Sequence, residues 1–230
     1  MRNHVEAILW KQCKDTLKNK TVLIQFLMFP LMTVIMENAM DIPGMPEHFF
    51  ANLFAVMYIG MAPLTCMAAI ISEEKEKNTL RVLQMCNVKA MEYLLGNAVY
   101  IISMCMLGSL VIGLAGGYQG RTLVIFMLVM LLGHSIAVLL GATIGAISKN
   151  QMMATSVTVP AMMVLSFLPM LSMFNETIGK VAKFVFSGQL YVMINNMEAM
   201  QWNPENTAIL GGNVVLVLGV FLVAYKKAFA

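Results

Sequence analysis

The sequence predicts an all-α membrane protein with six transmembrane helices. Three observations carry that prediction. First, of 230 residues 59% are hydrophobic and only 12% charged, with a mean hydropathy of +0.76, whereas an ordinary soluble domain is about 25% charged. Second, uncharged windows divide the chain into lengths that match a bilayer. Third, lysine and arginine gather in alternate loops. The same composition excludes a nucleic-acid binder, because the net charge is only +3 and no basic run stands apart from the apolar segments.

Residues 1–20 are polar and lack the apolar core of a secretory signal, so no cleavable leader is expected. They predict an amphipathic interfacial helix. Val5, Ile8, Leu9, Cys13 and Leu17 recur at helical spacing, Lys11, Lys14 and Lys18 fall elsewhere on the wheel, and Trp10 suits the headgroup level. Residues 21–230 form a single six-span domain.

A spanning helix needs about 20 apolar residues. Uncharged windows of 16, 24, 28, 27, 26 and 20 residues occur at 21–36, 49–72, 93–120, 122–148, 150–175 and 206–225. The first lengthens through 38–40, with Lys20 snorkelling at its start. The spans are therefore expected at about 21–40, 49–72, 93–117, 122–148, 150–175 and 206–225. Arg121, beside Gly116, Gly117 and Gly120, marks a tight turn between the third and fourth. Segment 176–203 is too polar to span, yet Ile178, Val181, Ala182, Val185 and Phe186 form an apolar stripe. It reads as one or two re-entrant helices in the outer leaflet, covered by protein as backbone at that depth must be. Asn203-Pro204-Glu205 then supplies an N-cap, a first-turn proline and a first-turn acid for the last span.

Twelve of the fifteen basic residues fall on one side: five before the first span, Lys75, Lys77, Arg81 and Lys89 after the second, Lys149 after the fourth, and Lys226 and Lys227 at the end. Arg121, Lys180 and Lys183 occupy the other side, where the 37–48 loop has three acids and no base. Basic loops stay in the cytoplasm, which places both termini there.

Within the membrane, Gly133, Ala137, Gly141 and Gly145 form a small-residue ladder at four-residue spacing on the fourth span. Such ladders let helices approach closely. Cys105, Ser109, Gly113 and Gly117 repeat the spacing on the third, so the two ladders are expected to face each other across the Arg121 turn. His134 is the one titratable group in mid-span. It is either a functional group or a neutral imidazole bonded to a neighbouring helix. Pro30, Pro63, Pro160 and Pro169 predict kinks. A doubly kinked fifth span is either a moving, cavity-lining element or a static bend. Methionine contributes 24 residues, which suits either lipid-facing surface or a soft cavity for varied apolar cargo. Cys13, Cys66, Cys86 and Cys105 show no C-x-x-C spacing and read as reduced, small apolar residues.

The most informative stretch follows the second span: Glu73-Glu74-Lys75-Glu76-Lys77-Asn78-Thr79-Leu80-Arg81, then Val82-Leu83, then Glu92-Tyr93-Leu94-Leu95-Gly96. Glu73 and Lys77 are placed to support a helix, and Leu80 and Leu83 offer an apolar contact. On these residues the chain resembles the permease subunits of the type-2 ABC exporter family, and it is similar to small bacterial peptide-toxin or drug exporter permeases of the phenol-soluble-modulin exporter type. That family usually has Gly where Asn78 stands; both tolerate a left-handed turn. Its frequent Ser-Pro is Cys86-Asn87 here.

The resemblance implies that 73–86 is a coupling helix docking on an ATPase through Glu73, Glu74, Lys75, Glu76, Lys77, Thr79, Leu80, Arg81 and Leu83. It implies a bacterial cell membrane and two six-span halves, from a second copy or a sister permease, around a central path. The chain has no G-x-x-x-x-G-K-[ST], so it is not itself an enzyme, and ATP and Mg belong to a separate ABC ATPase subunit. Met162, Met163, Phe167, Met170 and His134 are the candidate path residues. The adaptable methionines favour amphipathic or hydrophobic peptide cargo, with multidrug efflux as the alternative. An ion-coupled secondary transporter or channel would show internal repeats or intramembrane charges, and an intramembrane protease would need paired catalytic groups or H-E-x-x-H; the sequence offers neither.

Overall fold

In the computed structural model, residues 2–40, 44, 46–197 and 203–229 are described. Asp41 of the outer loop and residues 198–202 of the re-entrant segment lie outside them. The described residues form helices α1 (Arg2–Lys18), α2 (Lys20–Ala39), α3 (Phe49–Glu76), α4 (Thr79–Met85), α5 (Ala90–Ala115), α6 (Gly120–Ile147), α7 (Gln151–Ser172), α8 (Glu176–Ala182), α9 (Phe186–Asn195) and α10 (Pro204–Phe229). Six of them, α2, α3, α5, α6, α7 and α10, are long and apolar enough to cross a membrane.

Polar side chains and glycines set the boundaries. Asn150 and Asn175 cap α7 and α8 by accepting from Met153 N and Thr177 N, each at 2.9 Å, and Asn203 accepts from Glu205 N at 3.1 Å before α10. The α5–α6 turn uses positive φ at Gly117 (+75°) and Gly120 (+53°), which a residue with a Cβ adopts only at a cost.

α3 is the central element and the most buried span. Its Ala51, Ala55, Gly60, Ala62 and Ala68 let neighbours approach, while Tyr58, Ile59, Leu64, Met67 and Ile71 fill the space between them. α6 and α7 pack on it most extensively, with α2, α5 and α9 completing the shell. Ser166 on α7 donates to the Met57 carbonyl at 3.2 Å, where Gly60 leaves room for it.

The small-residue ladder faces a different partner from the one the sequence suggested. A Cβ on Gly141 would run into the Leu64 carbonyl and Met67, one on Gly145 would meet Ile71 and Ala68, and one on Gly133 would meet Ile59 of α3 and Leu190 of α9. The ladder therefore packs on the second span, not the third. The reason is that Gly141 and Gly145 make room for the Leu64 and Ala68 carbonyls of α3, whereas Gly113 on α5 meets Leu123 and Phe126, nearer the start of α6 than the ladder.

At the end of the bundle away from α4, Glu37 accepts from Ala51 N at 2.7 Å, Asn52 donates to Asn195 at 2.9 Å, and the Tyr118 hydroxyl donates to Asn52. These bonds join the ends of α2, α3, the α5–α6 turn and α9. In the pair α8 and α9, Phe186, Leu190 and Ile194 are buried, and Asn213 of α10 donates to the Phe184 carbonyl at 3.0 Å. Val181 of the expected stripe is exposed instead.

Candidate functional site

The site builds up where α3 ends. Its last turn carries Glu73, Glu74, Lys75 and Glu76, so the charged stretch continues the span rather than forming one separate helix over 73–86. The helix breaks at Lys77 and Asn78. Asn78 takes φ +56°, the left-handed conformation that Asn tolerates better than most residues, and α4 starts at Thr79 in a new direction. Asn87, at φ +60°, makes the corresponding turn out of α4.

Most of the charges are tied into the protein. Glu74 is buried and pairs with Lys11 of α1. Lys75 donates to the carbonyls of Ala146 and Ser148 at the end of α6. Glu76 accepts from Gln151 N at 2.9 Å, at the start of α7. Lys77 pairs with Glu73 one turn back, and that bond holds its ammonium above the ordinary lysine value. Glu92, at the start of α5, accepts from Lys89 N at 3.2 Å and lies 2.9 Å from the His4 ring of α1. The end of α3 is thus a junction at which α1, α6 and α7 meet the helix that leads into α4.

A charged cleft of about 630 Å³ opens between α1, the start of α2 and this junction, with Lys11, Asp15, Lys18, Glu73 and Glu74 among its lining residues. The helix α4 turns Leu80 into the core and half-buries Thr79 and Leu83. Those two leucines hold α4 in place and are not its outer contact. Its outer face consists of Arg81, Val82 (55% exposed) and Met85 (78% exposed).

The path residues divide. His134 is fully buried, its Nε2 lies 2.8 Å from the Ser109 hydroxyl of α5, and its ring stands edge-on to Tyr58 of α3. Its hydrogen bond joins α6 to α5, and its ring packs on α3. Met162 borders a small cavity of about 160 Å³ with Gln25 of α2, Thr65 of α3 and Thr158 of α7. Phe167 and Met170 are half-buried against the core, and Met163 is exposed with Met152 and Met153 on the outer face of α7.

Sequence reasoning missed the inner face of α1. The expected stripe divides: Ile8 packs inward with Gln12 and Thr16, the Tyr100 hydroxyl donating to Thr16, while Cys13 and Leu17 are exposed, as is Trp10. The signal was the i, i+4, i+8 spacing of Ile8, Gln12 and Thr16, hidden because two of the three are polar.

Comparison with protein families finds that the family described as ABC-2 family transporter protein matches residues 4–225. No curated protein matches the chain.

Proposed function

Since the chain belongs to the ABC-2 family of transporter proteins, a family of multi-pass membrane permeases, we propose that it is the permease subunit of an ATP-driven exporter in a bacterial cell membrane, with both termini cytoplasmic. A separate ABC ATPase binds ATP and Mg and docks on α4. A second copy of the chain, or a sister permease, completes the central path. The cargo is an amphipathic or hydrophobic peptide.

The observation that carries this reading is the α3–α4 junction. α4 is a short helix with an exposed Arg81, Val82 and Met85, joined to the most buried span by two residues. A push on α4 would reach α3 through Asn78 and Leu80, α1 through the Glu74–Lys11 pair, and the α6–α7 turn through Lys75 and Glu76. ATP-driven closure of the ATPase dimer would then shift the population between inward and outward arrangements of the spans. Peptide cargo is supported by the adaptable, exposed methionines of α2 and α7: Met28, Met32, Met152, Met153 and Met163. The broad apolar faces of these two spans support pairing with a second permease.

The test is reconstitution with the co-purifying ATPase and a panel of amphipathic helical peptides. Peptides should stimulate ATP hydrolysis. An Arg81→Glu/Met85→Asp variant should lose about tenfold or more of that stimulation, as expected for contacts at the centre of an interface, while Lys180→Glu keeps it. Full stimulation in the α4 variant would remove the docking role. Stimulation by lipophilic drugs but by no peptide would move the cargo to multidrug efflux.

A further inference from the structure

A second cavity, of about 430 Å³, lies at the same end of the bundle, on the other side of α3 from the charged cleft. It is formed where α3, the α6–α7 turn and α10 meet, and three lysines from these three elements line it: Lys75, Lys149 and Lys227. No acidic side chain is among its described lining residues. The cleft against α1 differs, because Asp15, Glu73 and Glu74 offset its lysines.

The lysines have separate tasks. The last carbonyls of α6 form the negative end of that helix and would repel an anion. Lys75 covers them through its bonds to Ala146 and Ser148. Glu76, next in sequence, is turned onto the Gln151 amide. Lys149 and Lys227 are exposed at the rim. The wall towards the membrane is apolar: Ile147 and Ala224 line the cavity, and exposed Val220 and Val223 continue down α10 into the span. A positive mouth at headgroup depth, beside the exposed apolar face of α10, complements a phosphate attached to acyl chains. Basic pockets between spans recognise anionic lipids in this way.

We propose that this cavity binds an anionic phospholipid, with its phosphate between Lys149 and Lys227 and its chains along α6 and α10. Bound there, the lipid would fasten α10, one of the least buried spans, to the end of α6. The proposal stands apart from the docking role of α4 and needs only a membrane-spanning chain.

The test uses the full-length permease, purified with its ATPase and delipidated, and follows thermal unfolding during titration with phosphatidylglycerol, phosphatidylcholine or inorganic phosphate. Phosphatidylglycerol should raise the midpoint saturably and phosphatidylcholine should not. Lys149→Gln/Lys227→Gln should weaken the apparent affinity about 30-fold, the equivalent of two charges near a membrane surface. Lys149→Arg/Lys227→Arg and Lys180→Gln/Lys183→Gln should respond like the parent. An unchanged response in the Gln pair would overturn the proposal. So would stabilisation by inorganic phosphate equal to that by the lipid. If the Gln pair keeps its lipid response but loses the co-purifying ATPase, the face is a protein contact and the lipid assignment falls.

Discussion

Gly141→Ala probes the contact on which the bundle depends. A Cβ at Gly141 would lie 2.9 Å from Met67 Cβ and 3.1 Å from the Leu64 carbonyl carbon, with the carbonyl oxygen closer still. The obstacle is α3 backbone, which cannot rotate away, so the two helices must separate. Overpacking of this kind costs about 1–3 kcal/mol. Gly→Ala also gains about 1 kcal/mol of helix propensity, which leaves a net loss of about 0–2 kcal/mol. Gly212 and Gly219 on α10 are the internal standards, because a Cβ at either meets nothing within 4 Å; Ala there should be neutral or stabilising by up to about 1 kcal/mol. Gly133→Ala should fall between, since its obstacles are the tips of Ile59 and Leu190, which can move. The propensity gain is common to both, so the gap between Gly141→Ala and Gly212→Ala is about 1–3 kcal/mol, or roughly 2–12 °C in melting midpoint for a chain of this size. Thermal unfolding in one detergent, scored by the monodisperse fraction, reads it directly. Equal midpoints for these two variants would refute the close α3–α6 approach.

Two further outcomes follow from buried polar contacts. Lys11→Met strands the Glu74 carboxylate in a buried position and should cost about 1–3 kcal/mol, less than a fully buried pair because Lys11 is partly exposed; adding Glu74→Gln should recover most of it, and a double-mutant cycle of melting midpoints gives the coupling. Ser109→Ala removes the bond to buried His134 and should cost about 1–3 kcal/mol, while Ala at the exposed Ser103 of the same helix should leave the midpoint unchanged.

The number of spans and the capped start of α10 were legible in the sequence because they depend on local quantities. An uncharged run long enough to cross a bilayer is a helix wherever it packs, and Asn203-Pro204-Glu205 starts a helix by bonding to its own backbone. The left-handed turn at Asn78 was legible for the same reason. The partner of the Gly133–Gly145 ladder was not. Four-residue spacing says that a helix has a smooth face, but not which neighbour fills it: here the glycines take up the Leu64 and Ala68 carbonyls and the side chains of Ile59, Met67 and Ile71 of α3. The charged stretch after the second span divided along the same line. Its charge density marked the place, yet whether each charge faces a partner protein or this one is set by α1, α6 and α7 arriving from distant parts of the chain.

The sequence by itself therefore determined that this protein lives in a bilayer, crosses it six times and carries its charges in two sets of loops, since solvation and helix length answer to composition. Only the tertiary structure decided that Glu74 is an internal tie to Lys11, that Arg81, Val82 and Met85 rather than Leu80 and Leu83 face outward, and that Lys149 and Lys227 share one mouth. Each of those facts concerns two groups far apart in the chain, and the distance between such groups is fixed by packing around α3.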